Sequence, residues 1–183
     1  KKNHKVKQLL GKKVAELIND GDSILLDSGT TTEEVAQCLI EKKDLTVMTN
    51  GLNIANELSQ GESCDIFITG GRLRRKSMSF YDAQADEKLK NYNFNKVILG
   101  VDGLDIDRGL STHFEPEAIF NRAMCESADT VIVVTDSSKF DKRSLHSIIP
   151  LKSIDILVTD SNIPKMYVTE LTKLNIQLFI VDI

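Results

Sequence analysis

Apolar residues at Val6, Leu10, Val14, Leu17 and Ile18 recur at helical spacing, and Asp20-Gly21 closes the run, so the spacing predicts a helix over residues 5–19. Beyond it the pattern changes to short apolar runs at about 23–27, 45–49, 65–69, 96–101, 130–135, 155–159 and 177–182, which predict strands. Helical patterns near 31–41, 52–59, 82–91, 115–127 and 164–174 alternate with them, with one gap from Ser137 to Lys152. Runs such as Val97-Ile98-Leu99 and Ile156-Leu157-Val158 are apolar at every position. That pattern suits strands covered by helices on both faces, because both rows of side chains are then buried. The predicted fold is therefore α/β, an open and mostly parallel sheet of six to seven strands with helices on both faces. No repeat and no Gly/Ser- or Pro-rich linker divides the chain; the most polar interruption is Gly70 to Phe80, read either as a mobile flap or as a solvated crossover loop.

Charge sharpens this picture. The 183 residues carry a net charge of −4, but residues 1–13 contain six lysines and no acid, leaving 17 basic against 27 acidic residues in the rest. A body that acidic is poorly suited to neutralising a phosphate backbone, so contact with nucleic acid is expected only from outside it. The expected organisation is a basic linker helix at 1–19 packed on a domain at 20–183. A chain that opens on Lys1 also reads as part of something longer. Cys38, Cys64 and Cys125 fit neither a disulfide framework nor paired metal-ligand spacing, so buried free thiols and a reducing, cytoplasmic compartment are expected. His4, His113 and His146 show no ligand spacing, and neither a metal nor a cofactor is expected. No apolar run approaches the roughly 20 residues of a membrane span, and no membrane partner is expected.

In an open α/β sheet, ligands bind outside the carboxyl ends of the strands. This chain places small, hydroxyl-bearing and glycine residues there: Ser28-Gly29-Thr30-Thr31-Thr32, Thr49-Asn50-Gly51, Gly70-Gly71, Asp102-Gly103 and Lys139. Ser28 to Thr32 stand between a strand and a helix start, where backbone amides and hydroxyls make a phosphate cradle. The same residues with Glu33 also spell a capping box. Asn50 reads as a turn residue or helix cap, and Gly70-Gly71 as a turn. Asp102 is either an acceptor of sugar hydroxyls or a turn aspartate before Gly103. Lys139 is a point charge for an anion or a solvated loop lysine. Ser111 and Thr112 precede a helix start at which Thr112 or His113 is a candidate cap, and Glu115 and Glu117 suit the helix dipole whatever else they do. GxxxxGK[ST] is absent and no GxGxxG follows the first strand, which counts against an ATPase or dinucleotide-binding module.

Taken together, the order DSGTTT, TNG, TGGxLR, GVDG, GLST, an acidic helix start and VVTDSSK resembles the C-terminal effector-sensing domain of the DeoR family of bacterial transcriptional repressors, from about Val14 to Ile183. Leu26–Thr32, Met48–Gly51, Ser79–Tyr81 and Ile132–Phe140 resemble most the repressors of N-acetylgalactosamine and galactosamine use. The resemblance implies a fold similar to ribose-5-phosphate isomerase and glucosamine-6-phosphate deaminase. It also implies a phosphosugar site with Ser28 to Thr32 on the phosphate, Asn50 and Gly70-Gly71 along the floor, and Asp102, Glu115 and Lys139 on the sugar. It implies repression of carbohydrate genes by an oligomer that binds operator DNA through an N-terminal winged helix-turn-helix, which this chain lacks. An isomerase or deaminase is the alternative, disfavoured because Arg108-Gly109-Leu110-Ser111 stand where the isomerases carry a lysine and a glycine run.

Overall fold

The computed structural model describes residues 2–183; Lys1 and the side chain of Lys2 lie outside the described residues. The chain begins with α1 (Lys2–Glu16), β1 (Ser23–Leu26), α2 (Thr30–Leu39), β2 (Leu45–Thr49), α3 (Leu52–Leu58) and β3 (Cys64–Ile68). A hairpin of β4 (Arg72–Arg74) and β5 (Ser79–Tyr81) follows, then α4 (Ala85–Leu89), β6 (Phe94–Leu99), β7 (Gly103–Asp105), β8 (Gly109–Thr112) and α5 (Glu115–Glu126). The chain continues through β9 (Ala128–Val134), β10 (His146–Ser147), β11 (Ile156–Asp160), α6 (Lys165–Lys173) and β12 (Gln177–Val181). Seven strands form one sheet in the order β12-β11-β9-β6-β1-β2-β3, and every pairing in it is parallel.

The continuous apolar runs have the reason the sequence suggested. Alternate residues of the inner strands feed two separate cores, whereas the edge strand β3 packs on one side and leaves Phe67 and Ile68 exposed. Ile24, Leu26, Val47, Ile98, Ile132 and Val134 pack under α1, α2 and α3 with Leu10, Val14, Val35 and Ile54. Leu25, Met48, Val97, Leu99, Val131 and Val133 pack under α4, α5 and α6 with Leu89, Phe120, Met124 and Tyr167. Because each of these inner runs is buried on both sides, neither polar alternation nor a solvent face is left in it.

Strand order reverses at β1. The chain proceeds outward through β2 to β3, then returns to β6 on the other side of β1 and proceeds outward again to β12. The connections leaving the C-terminal ends of β1 and β6 therefore diverge, and a crevice opens between them.

Three features differ from the sequence pattern. The polar stretch from Gly70 to Phe80 is a β-hairpin, tied to the β2–α3 turn where Phe80 N donates to Asn50 O (2.7 Å) and Leu52 N to Met78 O (2.9 Å). Residues 103–112 with 146–147 form a small antiparallel sheet of β10, β8 and β7, turned by Asp105 Oδ2, which accepts from the amides of Asp107 and Arg108. Strands of two to four residues carry too few positions to show a period, which is why the pattern gave no sign of them. The first helix ends at Glu16, after which Leu17 and Ile18 donate to carbonyls three residues back and tighten the chain into the turn. Cys38, Cys64 and Cys125 are free but half-buried rather than buried.

α1 lies against α2 at Gly11. A Cβ there would sit 2.8 Å from both the carbonyl carbon and oxygen of Glu34, so the two backbones approach as closely as glycine permits. Gly11→Val is accordingly expected to cost about 2 kcal/mol through overpacking, seen as a lower urea midpoint with an unchanged m-value; unaltered stability would show that the two helices do not pack at that distance.

Candidate functional site

The crevice at the strand reversal holds a cavity of about 130 Å³. Its walls come from the C-terminal ends of three adjacent strands: Asp27 to Thr32 after β1, Gly100 to Asp102 after β6, and Val134 to Asp136 with Lys139 after β9. Glu117 from α5 and Lys7 from α1 complete it. A broader opening of about 560 Å³ adjoins it, lined by Arg74, Lys76, Ser77, His113 and Phe114 as well as Ser28, Gly29 and Asp102. There the Arg74 guanidinium lies 4.0 Å from the centre of the Phe114 ring, and Tyr81 meets the same ring edge to face at 5.1 Å.

The Ser28–Thr32 loop is shaped by Gly29, whose φ of 153° and ψ of 170° belong to glycine alone. Gly29 is the N-cap of α2, and no side chain caps that helix. Thr30 is the first helical residue rather than the cap, and Glu33 accepts from Asn53 Nδ2 (3.2 Å) instead of reaching back. The capping-box reading of these residues therefore fails. The first amides of α2 are left without an intrahelical or side-chain partner at the cavity wall, where they favour an anion. Lys7 Nζ stands at the same place and donates to Thr30 Oγ1 at 2.7 Å. Lys139 closes a single 3₁₀ turn, Ser137–Lys139, that begins at Asp136. Asp136 Oδ1 accepts from the Ser138 amide and hydroxyl, and Asp160 Oδ2 accepts from Ser137 N at 2.7 Å. The turn that presents Lys139 is thus pinned to β11.

Three carboxyl groups stand beside these cations. Asp27 is buried, and its Oδ1 has no hydrogen-bond partner. Burial, with the nearby charges of Glu117 and Asp102, pushes its carboxyl well above the ordinary aspartate range, against the pull of the Ser28 and Gly100 amides. Burial also raises Glu117. Thr112 Oγ1 lies 2.9 Å from Asp102 Oδ2 and 2.6 Å from Glu117 Oε2. One hydroxyl has one proton to donate, so the oxygens of Asp102 and Glu117 compete for it. Asp102 also accepts from His113 N at 3.3 Å.

The remaining candidates from the sequence surround the cavity without lining it. Thr49 Oγ1 accepts from Gly51 N, and Gly51 caps α3. Asn50 is fully buried, with its carbonyl on the hairpin and its side-chain amide unpartnered, so it supports the hairpin and does not cap. Gly71, where a Cβ would lie 2.4 Å from Tyr81 O, lets the hairpin close, and Gly70 turns the chain before it with φ 78°. Gly103 and Ser111 hold the small sheet to the segment at 142–144: a Cβ on Gly103 would lie 2.5 Å from Lys142 O, and Ser144 N donates to Ser111 Oγ. Thr112 acts through Asp102 and Glu117. It caps nothing, because Phe114 is the N-cap of α5. Glu115 is exposed, and Glu117, two residues on, faces the cavity instead. Of the cavity residues absent from the sequence candidates, Glu117 was visible as an acidic helix start, and Asp27 as the opening of the DSGTTT run. Lys7 left no signal, since nothing local relates it to Thr30.

Residues 2–161 match a family model described as the DeoR C terminal sensor domain. The chain is 46% identical over 179 residues to an Escherichia coli O157:H7 protein named for transcriptional repression of the aga operon, a match covering 98% of this chain and 66% of that protein. It is 41% identical over 149 residues to the transcriptional repressor AccR of Agrobacterium fabrum, covering 81% and 58% respectively. The chain thus spans less than two thirds of the length of these relatives. Among solved structures, ribose 5-phosphate isomerase A of Methanocaldococcus jannaschii is similar with a TM-score of 0.54 at 16% identity, over 75% of this chain and 55% of that one. The translation initiation factor eIF-2B of Pyrococcus horikoshii is similar with a TM-score of 0.56 at 18% identity, over 82% and 61%. These two likenesses establish the fold alone.

The raised carboxyls make stability depend on pH. Folded Asp27 and Glu117 hold protons that the unfolded chain has already released above their ordinary values of 3.8 and 4.5. The native state then binds more protons than the unfolded one, so stability falls as pH rises from about 4 toward neutrality. Asp27→Asn removes one of the two groups and is expected to flatten that fall and to raise the urea midpoint at pH 7.5. Wild type and variant with parallel stability profiles between pH 5 and 8 would show that Asp27 is ionised in the folded protein.

Proposed function

The chain belongs to the DeoR family through its C-terminal sensor domain, and from that premise we propose that it is the effector-binding part of a transcriptional repressor of carbohydrate catabolism genes, with a phosphorylated amino sugar as effector. The observation that carries this reading is the composition of one cavity. The uncapped start of α2, Lys7 and Lys139 offer donors and positive charge for a phosphate, while Asp27, Asp102 and Glu117 offer acceptors for sugar hydroxyls or an amine. The unpartnered Oδ1 of Asp27 is left free to bond such a group. The aga operon repressor at 46% identity supports the amino-sugar assignment.

The effector acts by binding two arrangements of the repressor with different affinity, shifting an oligomer between DNA-competent and DNA-incompetent states. Operator contact belongs to a DNA-binding segment outside these 183 residues, in keeping with the acidic body. The site of action is the cytoplasm. We propose no catalytic role: the named relatives are repressors, and the two carboxyl groups that would shuttle a proton are both engaged by Thr112.

A thermal-shift panel tests the reading. Galactosamine 6-phosphate or a related phosphosugar at about 100 times its Kd adds about 2.7 kcal/mol of stability, a rise of roughly 5–10 °C for a chain of this size. Galactosamine, N-acetylgalactosamine and tagatose without phosphate are expected to give no shift. Gly29→Ala, which forces alanine into a glycine-only conformation, is expected to abolish the phosphosugar shift. No shift with any phosphosugar at millimolar concentration overturns the reading, and conversion of ribose 5-phosphate or galactosamine 6-phosphate to product restores the enzyme alternative.

A further inference from the structure

We propose that α1 is a working part of the binding site: Lys7 closes over the bound anion, so that occupancy of the cavity tightens the docking of the first turns of α1 on the domain. This rests on the phosphosugar reading of the cavity and adds to it the route by which occupancy is felt elsewhere.

Among the described residues, Lys7 is the one cavity-lining side chain drawn from α1. It reaches Thr30 because of how the helices pack. Gly11 meets the backbone of Glu34, and Lys7 and Thr30 each lie four residues, about one turn, before that contact. The cation is thereby delivered to the uncapped start of α2 by an element that is otherwise separate from the strand-end loops. What holds this half of α1 is modest: Val6 and Leu10 are buried, His4 Nδ1 stands 3.2 Å from Glu34 Oε1, and Lys7 donates to Thr30. Exchanging a neutral hydroxyl for a phosphate oxygen as the acceptor of Lys7 turns a hydrogen bond with one charged partner into an ion pair with two, which is stronger. That added strength appears both as affinity for the anion and as resistance of α1 to fraying, and linkage makes the two reciprocal. Whatever pulls α1 away from α2 therefore weakens the anion, and the anion resists that pull. The buried, unpartnered Asp27 Oδ1 in the same cavity marks the position as built for a ligand that brings a hydrogen-bonding partner.

Hydrogen exchange measured by mass spectrometry on the 183-residue chain tests this, with galactosamine 6-phosphate and, in parallel, inorganic phosphate as probes. In wild type, ligand is expected to slow exchange both in the 27–33 loop and in α1 over residues 3–12. In Lys7→Gln, saturating ligand still slows the loop but no longer α1, and affinity falls about tenfold, equivalent to about 1.4 kcal/mol. Lys5→Gln, which removes the same charge from an exposed position of α1, is expected to behave as wild type. Protection of the loop with unchanged exchange in α1, or wild-type affinity in Lys7→Gln, overturns the coupling while leaving the phosphosugar reading intact. Absence of protection in the 27–33 loop with either probe overturns that reading and the coupling with it.

Discussion

Everything at the candidate site depends on the reversal of strand order between β1 and β6. Two neighbouring parallel strands whose connections leave in opposite directions cannot cover the space between their C-terminal ends, so backbone amides that would be paired or buried elsewhere face a crevice. Gly29 turns the loop after β1 in a conformation closed to other residues, and α2 starts without a side-chain cap. Had Thr30 and Glu33 formed a capping box, those amides would have been satisfied internally, and the crevice would have offered little to an anion.

Acidic groups beside a loop of unpaired amides set a charge balance. Asp27, Asp102 and Glu117 would repel a phosphate if all were ionised. Burial and mutual repulsion raise Asp27 and Glu117, while Asp102 and Glu117 compete for the single proton of Thr112. The cavity thereby keeps its acceptors without carrying their full negative charge. The same argument orders the surroundings. The small sheet places Thr112 beside Asp102, and the hairpin of β4 and β5 sets Arg74 on Phe114 at the outer opening. Both elements lie outside the main sheet, yet each positions groups that the sheet alone would leave to mobile loops.

The fold recurs in an isomerase and in a translation initiation factor at below 20% identity, so the sheet does not choose the function. In this chain the side chains at the sheet edge are joined by α1, which covers one face of the sheet and also extends Lys7 into the cavity. A helix with both roles has its packing and its chemistry joined at one crossing, where Gly11 permits the approach to Glu34.

The sequence by itself determined the layered fold and most of the strand-end loops. Continuous apolar runs at Val97-Ile98-Leu99 and Ile132-Val133-Val134 report burial on both faces, and a glycine among hydroxyl residues at Ser28 to Thr32 reports a tight loop before a helix; both signals are local, spanning a few residues. Only the tertiary structure decided which polar residues share the cavity. Lys7 and Thr30 are 23 positions apart and Thr112 and Asp102 are 10 apart, and no periodicity records such pairings. Glu115 and Glu117 are equivalent as helix-start acids, because the dipole acts on both; the rotation of α5 fixed by its packing turns Glu117 inward and leaves Glu115 in solvent. The raised carboxyl of Glu117 is likewise a property of the assembled site, since it follows from burial that does not exist before the chain folds.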